Sequence, residues 1–403
     1  MTNESADMDP DLTGSTIGPV EVGPIAHGGH CVARHEGRVI FVRHALPGEQ
    51  VMITITDTTQ RKYWRGDAVE VVEASPDRIE PRCPISGPGR CGGCDFQHVE
   101  LAAQRELKAA VLAEQLQRLA GIDRYVEVEE VPPVSGDFAG TRWRSRMRYL
   151  ADDHGRPGLR AHRSHEVVAL PDEGCLIAAP EIARPPVDDP ERLIGIAAAD
   201  GPHWLAPDAT ATVTEQAIGR DWQVAGDGFW QVHPAAPELL SEAVIEGLQP
   251  EPGETALDLY CGVGLFVGAL VDRGCRVTGV ESDRRAVAAA RRNLTDAGSS
   301  ARFVAARVDR ALGQPRGRGA LPARADLVVL DPPRSGAGRK VVQQIARRRP
   351  RAVAYVACDP AALARDLGYF ADHGYRLDTL RAFDLFPMTH HLECVAVLEA
   401  VGG

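Results

Sequence analysis

The sequence predicts an α/β chain: an open, helix-covered sheet at the C-terminal end, preceded by a small β-barrel and a second β-rich region. Three observations carry this. The apolar runs Ala256–Leu259, Arg276–Val280, Ala325–Leu330 and Ala352–Ala357 alternate with helical stretches and end in polar, glycine or thiol positions, as strands buried on both faces do. Residues 15–72 instead alternate short β-branched runs with Gly and Pro. Between them, Thr141–Tyr149 alternates arginine with Trp143, Met147 and Tyr149, which is strand periodicity.

Taken in order, residues 1–12 are acidic and unpatterned and are expected to be disordered. Residues 13–78 contain Val39–Val42, Gln50–Ile55 and Asp67–Val72, spaced as in an oligonucleotide-binding barrel. Residues 79–235 form a central region. It opens on a cysteine-rich loop and continues into a helix within residues 97–120, where Leu107, Val111, Leu112, Leu116 and Leu119 share helical spacing. That apolar face is expected to pack on the C-terminal domain. Val131–Pro133 and Ala183–Val187 read as loops. Residues 236–403 form the catalytic domain, with about seven strands from Thr255 onward.

At 403 residues and 44% hydrophobic content the chain has ample core for several domains. Its net charge of -11 argues against indiscriminate nucleic-acid binding, so any such contact must be local. Two patches qualify. One is Arg61-Lys62-Tyr63-Trp64-Arg65; the other is the face carrying Arg142, Arg144, Arg146 and Arg148, a phosphate-facing ribbon if it meets RNA and a solvated strand face otherwise. Lysine occurs only at 62, 108 and 340, so arginine is this chain's general cation and each one counts for less. No long apolar run or signal peptide is seen; a soluble, monomeric, cytoplasmic protein without a membrane partner is expected.

Nine cysteines fit reduced thiols. Cys83, Cys91 and Cys94 cluster in a Pro- and Gly-rich loop with no carboxylate between them, and Cys175 can supply a fourth thiolate to a soft metal centre. Zinc and a four-iron cluster both accept four thiolates, and the spacing does not choose.

The strand ends concentrate the chemistry. Asp258-Leu-Tyr-Cys-Gly-Val-Gly264 runs from a strand into a glycine turn and then a helix, so that backbone and helix N-terminus approach a ligand. Glu281 ends the next strand, where a carboxylate can accept ribose hydroxyls. A nucleoside-bearing cofactor is expected; without the third glycine of the dinucleotide fingerprint, a nicotinamide enzyme stays an alternative. Asp331 is held at a strand end by Pro332 and Pro333. Cys358 sits at the mouth of Ala352–Ala357, where open sheets put their chemistry. Alone it would fit a buried structural thiol, but beside these other strand ends it reads as a nucleophile. Glu393 stands before the last strand, Cys394–Leu398.

These stretches resemble the RNA uracil-C5 methyltransferases that use S-adenosylmethionine. The matching motifs are Asp258–Gly264, Asp331–Arg334, Tyr355–Pro360 and Phe386–Glu393, with Phe229-Trp-Gln-Val-His233 as a fifth, in family order over nearly the whole chain. The resemblance implies a Rossmann-like class I methyltransferase domain and a TRAM domain at the barrel. It also implies Cys358 as nucleophile toward uracil C6 and Glu393 as the base that permits β-elimination. Gln231, Tyr260, Gly262, Gly264, Glu281 and Asp331 would line the cofactor and target-base pocket, although Tyr260 also fits as packing beneath the turn. On the cysteines it favours a [4Fe-4S] cluster over zinc. Barrel and cysteines together resemble the branch acting on 23S ribosomal RNA; a tRNA uridine is the alternative, and a non-catalytic RNA-binding factor the alternative outside enzymes.

Four positions depart from the family. Ala357-Cys-Asp-Pro360 replaces Ser-Cys-Asn-Pro and sets a carboxylate beside the thiol, which disfavours its thiolate. His233 replaces an Asn, the first cysteine gap holds seven residues, and Arg307 stands where the family often has Asn or an acid, leaving the adenine contact open.

Overall fold

The computed structural model describes residues 12–134, 139–186, 192–206, 209–314 and 320–402. The tail expected to be disordered lies, but for Leu12, outside them.

Strands Thr16–Ala26, His30–His35, Arg38–Arg43, Gln50–Asp57 and Tyr63–Glu73 close into a barrel in the order first, second, third, fifth, fourth. Alternation builds it: Val51, Ile53 and Ile55 point inward to join Ile40, Val42 and Cys31. The tip of the first hairpin, His27-Gly28-Gly29, reaches the C-terminal domain. A β-carbon at Gly29 would stand 2.6 Å from Cβ of His390, so only glycine permits this approach.

In the central region Gly201–Leu205, Leu193–Ala198, Arg146–Ala151, Pro157–Arg160 and Val167–Ala169 form one antiparallel sheet. A separate ribbon, Thr212–Ala217 with Arg220–Ala225, shares its core with the C-terminal sheet through Val213, Trp222 and Val224.

The C-terminal sheet runs in the order Ala301–Ala305, Arg276–Glu281, Thr255–Leu259, Leu327–Leu330, Ala352–Ala357, Glu393–Ala400, Tyr375–Phe383, Val128–Glu129. Seven of these strands follow Thr255; the eighth comes from the central region and pairs in parallel at the edge. Chain order reverses between Thr255–Leu259 and Leu327–Leu330, which opens a crevice at their carboxyl ends. Glu393–Ala400 alone enters antiparallel to both neighbours, and so brings its first residue, not its last, to that rim.

The helix Leu101–Ala120 packs on the helix Pro360–Ala371 and touches the barrel with Ala103, Leu107 and Val111. Its buried polar residues are all used. Gln104 donates to Phe96 O and Val99 O and accepts from Met388 N at 2.8 Å, and Lys108 donates to Asp384 at 2.6 Å and to Phe386 O at 3.1 Å. Among the described residues, no helix is long and apolar enough to cross a membrane.

Candidate active site

Ala352–Ala357 is buried throughout and delivers Cys358 to the rim. Asp359 then caps the helix Pro360–Ala371, accepting from Ala362 N at 2.8 Å, with Pro360 in the first turn where its missing N–H costs nothing. Ala357 pairs with Cys394 across the antiparallel ladder. The next step of that register sets Cys358 opposite Glu393, and both face one cavity of about 1160 Å³. Gln231, Tyr260, Gly262, Glu281 and Asp331 line the same cavity.

The turn after Thr255–Leu259 is left-handed at Tyr260, Gly262 and Gly264, with φ of 67°, 52° and 99°. Tyr260 holds a conformation rare for a side-chain-bearing residue, steadied by Tyr260 N and Cys261 N both donating to Val280 O. Gly262 has open space where a β-carbon would point, and its N–H reaches Glu281 Oε2 at 3.3 Å. Glu281 Oε1 accepts from Ser282 Oγ and Asp283 N. That carboxylate is thus fixed at the cavity wall. Gly264 does not line the cavity; a β-carbon there would meet Leu294 at 3.1 Å, so its smallness serves helix packing.

Electrostatically the rim is crowded with acids. Burial pushes Asp331 up to about 7. Burial, then Asp331, holds Glu393 well above the usual carboxylate range, against the pull of Arg334. Burial, Glu393 and Asp331 push the Cys358 thiol up to about 12, with Arg334 opposing and Asp359 adding to the rise. Arg334 is therefore the rim's main cation, and it bonds His391 across 3.2 Å. In the sequence Arg334 stands within a motif without an assigned role; its position after two prolines at a strand end is the signal that marks it. Phe229 is 71% exposed at the cavity mouth. Arg307 also lines it, turned toward Asp309 at 3.1 Å.

Cys83, Cys91, Cys94 and Cys175 line a second cavity, of about 660 Å³. Burial pushes Cys91 up to about 11 and raises the other three, and neighbouring thiols add to the rise at Cys91, Cys94 and Cys175. Gly93 N and Gln97 Nε2 each donate to a cysteine sulfur at 3.4 Å. Among the described residues, no three His, Cys, Asp or Glu side chains converge on a point that could hold a single metal ion.

The arginine face is not continuous. Trp143, Met147 and Tyr149 are buried on one side as the alternation predicts, but the strand begins only at Arg146. Before it, Arg142 and Arg144 run beside the segment of Cys175, bonding Leu176 O and Ile177 O through their N–H groups. Arg146 is spent on Glu215 at 2.8 Å and on Gly226 O and Gly228 O. Of these four arginines only Arg148 is exposed among the described residues; Arg142, Arg144 and Arg146 are half-buried. Arg61 and Lys62 are exposed in the barrel turn before Tyr63–Glu73. Beside them Phe41 packs edge-on against His30 and Tyr63, with Arg65 over the Tyr63 ring. Tyr63 and Arg65 belong to the patch visible in the sequence, while His30 and Phe41 join them from two other strands, which no local pattern signals.

Comparison with known proteins agrees with this layout. Residues 220–401 match the tRNA (Uracil-5-)-methyltransferase family and residues 12–69 match the TRAM domain. An uncharacterized RNA methyltransferase of Streptomyces avermitilis is 48% identical, over 94% of this chain and 97% of its own. The 23S rRNA (uracil(1939)-C(5))-methyltransferase RlmD of Methylococcus capsulatus is 34% identical over 93% of this chain and 95% of its own. The chain belongs to the RNA uracil-5-methyltransferase family. Family membership accounts for the pairing of a TRAM barrel with a catalytic α/β domain. The fold is also that of the Pyrococcus abyssi tRNA (uracil-54, C5)-methyltransferase, solved with S-adenosyl-L-homocysteine, at a TM-score of 0.68 and 22% identity over 94% of this chain and 99% of that one.

Proposed function

We propose that this protein transfers a methyl group from S-adenosylmethionine to C5 of a uridine in structured RNA, with 23S ribosomal RNA as the target. The observation that carries the reading is the facing of Cys358 and Glu393 on the wall of a cavity that also contains the glycine turn and the fixed Glu281 carboxylate.

The residues fit the cofactor. Gly262 leaves the backbone open to close approach, and Glu281 presents a held carboxylate to a ribose. When bound, S-adenosylmethionine supplies an electrophilic methyl group. Uracil C5 is a weak nucleophile until something adds at C6. Cys358 gives its proton to the Asp331–Glu393 pair and adds to C6, and the ring's π electrons become an enolate reaching C5. After C5 is methylated it still bears its original proton. By then the pair has passed the cysteine's proton to solvent, so that Glu393 is ionised and removes the C5 proton; the electron pair re-forms C5=C6, and Cys358 leaves as thiolate and takes back the proton now on Glu393. One proton is released overall. Arg334 makes this feasible by favouring both the thiolate and the ionised carboxylate. A paired uridine must first be flipped out of its stack, and Phe229 at the mouth is placed to stack on it.

Cys83, Cys91, Cys94 and Cys175 suit a [4Fe-4S] cluster. They are four soft donors lining one cavity, and the family resemblance favours the cluster over zinc. The cluster's role is structural: the same loop continues through Asp95 to Arg43 of the barrel and His390 of the catalytic domain.

The deciding experiment offers methyl-labelled S-adenosylmethionine with 23S ribosomal RNA or tRNA, followed by mapping of 5-methyluridine. Label at one 23S uridine supports the reading, label only in tRNA moves the target, and label in neither overturns it.

A further inference from the structure

Cys358 borders two cavities. Besides the reaction cavity it lines a smaller one of about 190 Å³, whose other walls include the barrel's His27-Gly28-Gly29 tip, Lys108, Arg334 and His391. Across that cavity His27 Nε2 meets Asp359 Oδ2 at 3.1 Å. Asp359 is the residue next to the nucleophile, and its other oxygen caps the helix that follows.

We propose that His27, carried by the barrel, is a positioning residue for the nucleophile: as an imidazolium bound to Asp359 it offsets the carboxylate beside Cys358 and fixes the start of the helix behind it. The proposal rests on the reading of Cys358 as nucleophile. A carboxylate next to a thiol opposes thiolate formation, and Asp359 is such a carboxylate. A cation bound to that carboxylate cancels most of its field at the sulfur. The site supplies one from 332 positions away in sequence.

The surrounding charges are consistent. The hydrogen bond to Asp359 raises His27, as does Glu114 of the helix Leu101–Ala120, while burial works the other way. The same bond lowers Asp359 against its own burial. Around Cys358 the remaining charged groups are Glu393, Asp331 and Arg334, and His390, His391 and Lys108 share the small cavity's walls. His27 is thus the group that answers Asp359 directly. Its place on the barrel also makes the nucleophile's environment depend on the docking of an RNA-binding domain.

The test is the pH profile of Cys358 alkylation by iodoacetamide in the full-length protein, read at the Cys358 peptide by mass spectrometry. His27→Gln should slow alkylation at pH 7 by about threefold, the loss that half a pKa unit produces, with unfolding unchanged. Asp359→Asn, which keeps a helix-capping side chain, should speed alkylation, and adding His27→Gln to it should then change the rate by less than about 1.5-fold. An unchanged profile in His27→Gln overturns the proposal, and so does an equal slowing in both backgrounds. Because alkylation is read without RNA or methyl transfer, these outcomes are separate from failure of the catalytic reading, which loss or survival of activity in Cys358→Ala decides.

Discussion

Ala357 and Cys394 are register partners in the antiparallel pair formed by Ala352–Ala357 and Glu393–Ala400. The residue after one and the residue before the other therefore meet at the rim, and this is how a thiol and a carboxyl far apart in sequence come to share a wall. A final strand running parallel would send Glu393 to the opposite edge of the sheet.

Cys358→Ala should abolish methyl transfer, by at least about a thousandfold, and leave S-adenosylmethionine affinity within about twofold, since Glu281 and the glycine turn are untouched. Calorimetric titration with the cofactor and single-turnover methylation check the two halves. Retained activity removes Cys358 from the chemistry.

Glu393→Gln keeps the shape of the side chain and removes its capacity to accept a proton. Addition and methylation should proceed while elimination stalls, so that a covalent protein–RNA adduct accumulates as a slowed band in a denaturing gel. Its absence at full methyl transfer would assign proton removal to another group.

The pH dependence follows from the acids around Cys358. Burial, Glu393, Asp331 and Asp359 push its thiol up to about 12, so at neutral pH the free protein holds a thiol. Its thiolate fraction should rise about tenfold per pH unit from 7 to 9. Alkylation of the Cys358 peptide should follow that slope, and a plateau below pH 9 would mean that the cations of the site outweigh its acids.

Lys108 and Asp384 are both buried and bonded at 2.6 Å. Lys108→Met leaves Asp384 buried without its partner and should cost about 3–5 kcal/mol in urea unfolding. Adding Asp384→Leu should recover a large part of that loss. A cost below about 1 kcal/mol would show that water reaches Asp384 once the lysine is gone.

Cys94→Ser should remove a ligand of the four-thiol chamber. In protein prepared without oxygen, iron and sulfide content should fall to background while the wild type holds close to four of each. One zinc per chain in the wild type would replace the cluster with a single ion.

Much of this was legible because it is local. The buried runs Ala352–Ala357 and Leu327–Leu330 announce strands through length and composition, and the barrel strand Gln50–Asp57 announces its inner face by alternation. The strand-end residues Glu281, Asp331 and Cys358 were readable because a sheet's carboxyl edge is defined by where each apolar run stops. Pairings made across the fold were not. Arg146 meets Glu215 from 69 residues away, and Lys108 meets Asp384 from 276. No periodicity encodes such a partner, so the arginine face looked freer than it is. The two-residue edge strand Val128–Glu129 has no pattern of its own and exists only because Tyr375–Phe383 offers an unpaired edge.

That borrowed edge strand and the helix Leu101–Ala120 bear on how the molecule comes apart. Both lie upstream of the catalytic sheet in sequence, yet one completes its hydrogen-bonded margin and the other shields a flank with Leu112 and Leu116 wholly out of solvent. Excising residues 236–403 would leave a raw margin and an uncovered greasy flank, the conditions under which fragments stick to one another. The segments that look like separate modules on paper share packed faces in the fold, so loosening the barrel-side helix should be felt at the helix Pro360–Ala371 that begins beside Cys358.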